Sequence, residues 1–121
     1  MRFPKERRNK YGNRKVIWKG EEFDSEAEYG RYRELKWLAT KGIVRELRRQ
    51  VSYELIPALR DDHGQLCERS VHYVADFVYV DEDGSTVVED VKGVKTKEYI
   101  IKRKLMLWRY GIRIREIKGY R

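Results

Sequence analysis

The chain has 121 residues, enough for one hydrophobic core and too few for two. Charged residues make up 40% and apolar residues another 40%, with a formal net charge of +8, so the composition describes a globular domain with a basic shell that favours a polyanionic partner. Cys67 is the only cysteine, which excludes an intrachain disulfide and a cysteine-based zinc cluster and fits a reducing intracellular compartment. No apolar run approaches ~18 residues, and the basic N-terminus lacks the apolar core of a secretory signal, so neither a membrane span nor export is expected.

Residues 1–15 carry Arg2, Lys5, Arg7, Arg8, Lys10, Arg14 and Lys15 against one acid, Glu6. This reads as a basic arm preceding a single domain over 16–121. The arm serves either as a solubilising tail or as a phosphate-neutralising segment through Arg7, Arg8, Lys10 and Arg14. Val16-Ile17-Trp18 and Glu22-Phe23 around Lys19-Gly20 predict a short hairpin. A helix is expected from about Asp24 to Lys41, stopped by Gly42. Its inward stripe is Glu28, Tyr32, Leu35 and Ala39, widened by Trp37 and Leu38. Glu28 is an acid on that stripe, and Ser25-x-x-Glu28 is also a capping box that needs no catalytic role.

Ile43 to Ile56 reads as the first core strand, with Val51, Tyr53 and Leu55 on one face and Gln50, Ser52, Glu54 and Ile56 on the other. Gln50 can reach a phosphate or orient a water, or can be an ordinary solvated strand residue. Pro57 ends the strand, and Leu59 to Arg69 reads as a polar loop. Val71 to Val80 is β-branched and aromatic on both alternating faces, the pattern of a central strand covered on both sides. Asp76 sits in its middle and needs a partner.

Thr86 to Lys92 alternates, placing Val88, Asp90 and Lys92 on one face and Val87, Glu89 and Val91 on the other. The intervening Asp81-Glu82-Asp83-Gly84-Ser85 predicts a hairpin. A three-residue loop with Gly84 left-handed sets Asp76 opposite Asp90, with Cβ atoms roughly 4.5–5.5 Å apart. A two-residue loop puts the two on opposite faces. Two facing carboxylates repel, and a divalent cation such as Mg²⁺ removes the conflict, with Lys92 on the same face to hold a phosphate or a water. A solvated Asp–Lys pair is the plain alternative.

Gly93 closes this strand, and a second helix is expected from Lys95-Thr96 to about Tyr110. Its buried stripe is read as Ile101, Leu105 and Trp108. Lys95, Lys102 and Arg109, with Lys97 nearby, form a basic face that is either solvated or tracks phosphates. Ile112 to Ile117 alternates as a last strand. The order helix, three strands, helix, strand predicts an α+β domain, a mixed sheet with helices on its faces.

Asp76, a hairpin, then Asp90-Val91-Lys92 resembles the Asp…(Asp/Glu)-x-Lys core of the restriction-endonuclease-like PD-(D/E)xK nucleases. The wider pattern carries the likeness: Phe23-Asp24-Ser25-x-x-Glu28, Gln50-Val51-x-Tyr53-x-Leu55-x-Pro57, Tyr73-x-Ala75-Asp76-Phe77 and Val88-Glu89-Asp90-Val91-Lys92-Gly93. It is similar to small phage-encoded members related in style to Holliday-junction resolvases, over roughly residues 11–117. The usual Pro before the first Asp is replaced by Ala75. The resemblance implies a Mg²⁺-dependent DNA endonuclease, with Mn²⁺ able to substitute, acting in the cytoplasm of a bacterial host. It implies Asp76, Asp90 and the Val91 carbonyl as metal ligands, Glu28 completing the site, Gln50 and Lys92 at the scissile phosphate, and a twofold homodimer for branched DNA. A basic nucleic-acid-binding protein without catalysis is the rival.

Overall fold

The computed structural model describes residues 5–8 and 14–119. The elements in order are β1 (Lys5–Arg8), β2 (Arg14–Trp18), β3 (Glu21–Phe23), α1 (Glu26–Thr40), β4 (Arg45–Ile56), β5 (Leu59–Arg60), β6 (Leu66–Glu68), β7 (Val71–Val80), β8 (Thr86–Lys92), α2 (Lys97–Tyr110) and β9 (Arg115–Lys118). The central sheet runs β4-β7-β8-β9. β4, β7 and β8 are antiparallel, and β9 returns parallel to β8 across α2. This is the expected mixed α+β sheet. One helix covers each face: Leu35 of α1 packs with Val44, Phe77 and Tyr79, while Tyr99 and Met106 of α2 pack with Leu55, Tyr73, Ala75, Val78 and Val88.

Local chemistry sets these boundaries. Ser25 caps α1 by accepting the Glu28 N–H at 3.1 Å. Thr96 caps α2 by accepting the Tyr99 N–H, and Gly111 ends it at φ +68°. The Glu82–Gly84 loop has three residues, with Gly84 at φ +82° and a bond from the Asp81 N–H to the Ser85 carbonyl. The ladder therefore pairs Phe77 with Glu89 and Val80 with Thr86, the register that the three-residue loop requires.

Three expectations change. The basic arm contains a strand: Lys5–Arg8 pairs with Arg14–Ile17 and extends the β2–β3 hairpin into a three-stranded sheet. The polar loop after Pro57 holds a short hairpin, β5–β6, closed by Asp61, whose carboxylate accepts the His63 and Gln65 N–H groups. The buried stripe of α2 is rotated: Tyr99 and Met106 are buried, whereas Ile101 is 59% and Trp108 80% exposed. Apolar residues surround this helix on several sides, so periodicity does not fix which face turns inward. On α1, Trp37 is likewise an exposed residue rather than a core one.

One irregularity shapes the site. In β7, Phe77 and Tyr79 face α1 and Val78 faces α2, as alternation demands; yet Ala75 and Tyr73 also face α2. In β4, Leu47 packs on the α1 side, while Val51, Tyr53 and Leu55 pack on the α2 side. Both strands invert their side-chain alternation at the same rung, between the pairs Arg49–Phe77 and Val51–Ala75. Gln50 and Asp76 occupy that rung, and Gln50 has φ +52°. A left-handed non-glycine residue inside a strand costs about 1–2 kcal/mol and re-aims the residues beyond it.

Candidate active site

Asp76 stands where β7 and β8 part. Their backbone ladder ends at Phe77–Glu89. Beyond it the Asp76 carboxylate replaces a strand partner: Oδ2 accepts the Val91 N–H at 2.8 Å. Gln50, on the neighbouring strand, aims its amide at both acids. Nε2 lies 2.9 Å from Glu28 Oε1 and 3.5 Å from Asp76 Oδ1. The other Glu28 oxygen accepts the Asp24 N–H at 3.1 Å. One Glu28 oxygen therefore holds the backbone at the entry to α1, and the other turns toward Gln50 and Arg49. Arg49 Nη2 lies 3.5 Å from that second oxygen.

Asp90 is buried on the α2 side. Its Oδ2 accepts the Tyr73 hydroxyl at 2.6 Å. Its Oδ1 is buried with no hydrogen bond, although Lys92 Nζ lies 3.3 Å away as an ion pair. The Lys92 ammonium also sits 4.4 Å from the centre of the Tyr99 ring. Asp90, Lys92, Tyr73 and Tyr99 therefore form one cluster beside Asp76.

The electrostatics follow from burial. Desolvation first, then Glu28, then Asp90 push the Asp76 carboxyl up to about 8. Glu28 is raised by burial and by Asp24, against the pull of the Asp24 N–H and Arg49. Asp90 is raised by burial, opposed by Tyr73 and Lys92. Burial and Asp90 raise the Tyr73 phenol, which keeps it a donor. Three crowded carboxylates face two cations, Lys92 at Asp90 and Arg49 at Glu28, which leaves the site short of positive charge.

That donor set suits a hard divalent cation, which takes carboxylate and carbonyl oxygens. Asp76 and Asp90 supply the carboxylates. Among the described residues no three His, Cys, Asp or Glu side chains are already disposed around a common ion position. Glu28 reaches Asp76 through the Gln50 amide rather than directly.

The basic residues separate by what they contact. Arg7, Arg8 and Arg14 lie in β1 and β2, with Arg8 opposite Arg14 in register; Lys10 lies outside the described residues. Lys95 pairs with Glu116 at 3.4 Å and Lys102 with Glu98 at 3.2 Å. Arg109 donates to the Leu55 carbonyl at 3.0 Å and lies 3.5 Å from Glu54, tying the end of α2 to β4. Lys97 is exposed on the first turn.

Sequence reasoning missed the residues behind the site. Tyr73 is one: simple alternation sends it to the face opposite Asp90, and only the inversion at Asp76 brings them together. Glu89 is another. It is fully buried, and Arg31 grips both its oxygens at 2.9 and 2.7 Å while Tyr79 donates from the side. The Arg31–Glu89 pair clamps α1, which carries Glu28, to β8, which carries Asp90. The available signal was an acid among apolar residues on the covered face of a strand, which must find a buried cation.

No helix is long and apolar enough to cross a membrane. No curated protein and no solved structure matches the sequence. The model of one family, described as "Protein of unknown function (DUF1064)", matches residues 8–119, and the chain belongs to that family.

Proposed function

We propose that the chain is a divalent-metal-dependent DNA endonuclease. The observation that carries this reading is the convergence of Asp76 and Asp90 where β7 and β8 separate, with a buried Asp90 oxygen lacking a hydrogen bond and Lys92 at 3.3 Å. Asp76, Asp90 and the Val91 carbonyl would hold Mg²⁺ or Mn²⁺, with Glu28 close by. The bound cation would lower the pKa of a water and polarise a phosphoryl oxygen.

The chain's own groups do the rest. Tyr73 fixes the Asp90 carboxylate by donating to Oδ2, which leaves Oδ1 turned inward. Lys92 supplies a positive charge that hydrogen-bonds the attacking water or a phosphate oxygen, and the Tyr99 ring beneath it limits its freedom. Gln50 holds Glu28 and contacts Asp76, fixing the spacing of the acids. Hydrolysis by such a site leaves a 5′-phosphate and a 3′-hydroxyl, as the resemblance implies. Cleavage of both strands at a junction needs two sites, which a twofold homodimer supplies.

Purified protein incubated with supercoiled plasmid and a synthetic four-way junction, in Mg²⁺, Mn²⁺ or EDTA, tests the reading. The expected result is metal-dependent cleavage that Asp90→Ala abolishes while DNA binding remains. Symmetric junction nicks would add the resolvase specialisation. Tight, salt-sensitive binding with no cleavage in either metal would overturn the enzyme and leave a binding protein.

A further inference from the structure

We infer that the outward face of α2 binds unstacked bases of a nucleic-acid strand, with Trp108 as the stacking platform. The choice of nucleic acid as ligand rests on the nuclease reading above. Lys97, Ile101, Lys104 and Trp108 follow one another at spacings of four, three and four, so they share one helical face. All four are exposed, Trp108 at 80% and Ile101 at 59%. A tryptophan this open in a domain with a well-filled core points to a partner, because tryptophan concentrates at binding surfaces.

The charge of the face selects among partners. Glu98 is the only acid in α2, and Lys102 already holds it at 3.2 Å. A twofold pairing of this face with a second copy would gather four lysines around two tryptophans without a free carboxylate. A polyanion whose flat bases stack on indole while its phosphates meet Lys97 and Lys104 satisfies both features. The face runs about 16 Å from Lys97 to Trp108, roughly the length of five stacked nucleotides. Tyr99, on which the Lys92 ammonium rests, lies on the opposite, buried side of α2, so this face is a surface separate from the candidate site. The preferred substrate would carry unpaired bases, as at branches, flaps and junctions.

The test compares full-length wild type, Trp108→Ala, Trp108→Phe and Lys104→Ala by fluorescence anisotropy in EDTA. The probes are an oligothymidylate of about 12 nucleotides and a blunt duplex of similar length. We expect Trp108→Ala to weaken single-strand binding about tenfold and duplex binding less than about twofold. Trp108→Phe should retain most single-strand affinity, and Lys104→Ala should weaken both probes alike. Unchanged thermal midpoints would show that the fold is intact, as an exposed site predicts. Equal losses on both probes, or no loss on the oligonucleotide, would overturn the inference. So would a wild-type dimer that Trp108→Ala converts to monomer. Trp108-dependent strand binding without metal-dependent cleavage would discard the nuclease and keep this surface; cleavage with Trp108-independent strand binding would do the reverse.

Discussion

Replacing Asp76 with Asn isolates the electrostatic state of the site. Without metal, burial, Glu28 and Asp90 lift the Asp76 carboxyl from 3.8 to about 8. The folded chain therefore holds this proton far more tightly than the unfolded chain does. The stability it contributes is fully present below about pH 4, falls as pH rises, and is gone above about pH 8. Each pH unit in that window is worth about 1.4 kcal/mol, which sets a ceiling of ~5–6 kcal/mol. The proton is shared among three neighbouring carboxylates, and water can enter where β7 and β8 part, so about 2–3 kcal/mol is the expected size. An amide cannot ionise, yet its oxygen can still accept the Val91 N–H. In urea unfolding with EDTA, Asp76→Asn should match wild type at about pH 4 and exceed it by about 2–3 kcal/mol near about pH 9. Saturating Mg²⁺ should then stabilise wild type, by about 2.7 kcal/mol at a hundredfold excess over Kd, and leave the variant unmoved. Parallel pH profiles for the two proteins would refute the raised carboxyl and with it the charge deficit of the site.

Two further predictions concern the support of the site. Glu89→Gln leaves the mostly covered Arg31 with only the exposed Glu34 as a charged partner, at 3.0 Å, and should cost about 2–3 kcal/mol in urea unfolding, whereas Tyr79→Phe, losing one hydrogen bond, should cost about 1. A Glu89→Gln cost below that of Tyr79→Phe would show that the ion pair does not hold α1 to β8. At Gln50 both Gly and Ala remove the bond to Glu28, but only Gly relieves the φ of +52°. Gln50→Gly should therefore be the more stable of the two by about 1 kcal/mol, the reverse of the usual order in a strand, and the opposite ranking would refute backbone strain there.

Much of the fold was legible because local signals agreed. Ser25 and Thr96 mark the helix starts, Gly111 marks a stop, and Asp81 with Gly84 marks a hairpin, whose three-residue rather than two-residue loop is settled by the structure. That loop sets the β7–β8 register, but the ladder ends at Phe77–Glu89, one rung before Asp76 and Asp90, so the two are not the expected cross-strand pair and Asp76 bonds the Val91 N–H instead. The orientation of α2 was not legible. Tyr99, Ile100, Ile101, Leu105, Met106, Leu107 and Trp108 offer more than one apolar stripe, and the inward one includes Arg103, whose guanidinium reaches Glu116 at 3.3 Å. A charge that finds its partner only through tertiary contact cannot be told in sequence from a solvated one.

The inversion at Gln50 and Asp76 explains why pairing was easier to read than environment. Register is a matter of counting residues from a turn, and it survives the irregularity unchanged: Arg49–Phe77 and Val51–Ala75 obey the same sum. Facing depends on strict alternation, which breaks in β4 at the left-handed Gln50 and in β7 at Asp76 on the same rung. The break is what gives the site its composition. Without it, Tyr73 would face α1 and Asp90 would lose the donor to its Oδ2; Ala75 would leave the α2 core; and Asp76 would continue the ladder instead of closing on the Val91 N–H. The strain at Gln50 is thus stored at the rung that brings the acids together. The Gln50 amide spans Glu28 and Asp76, so the residue that carries the strain is also the one that sets the distance between two of the acids.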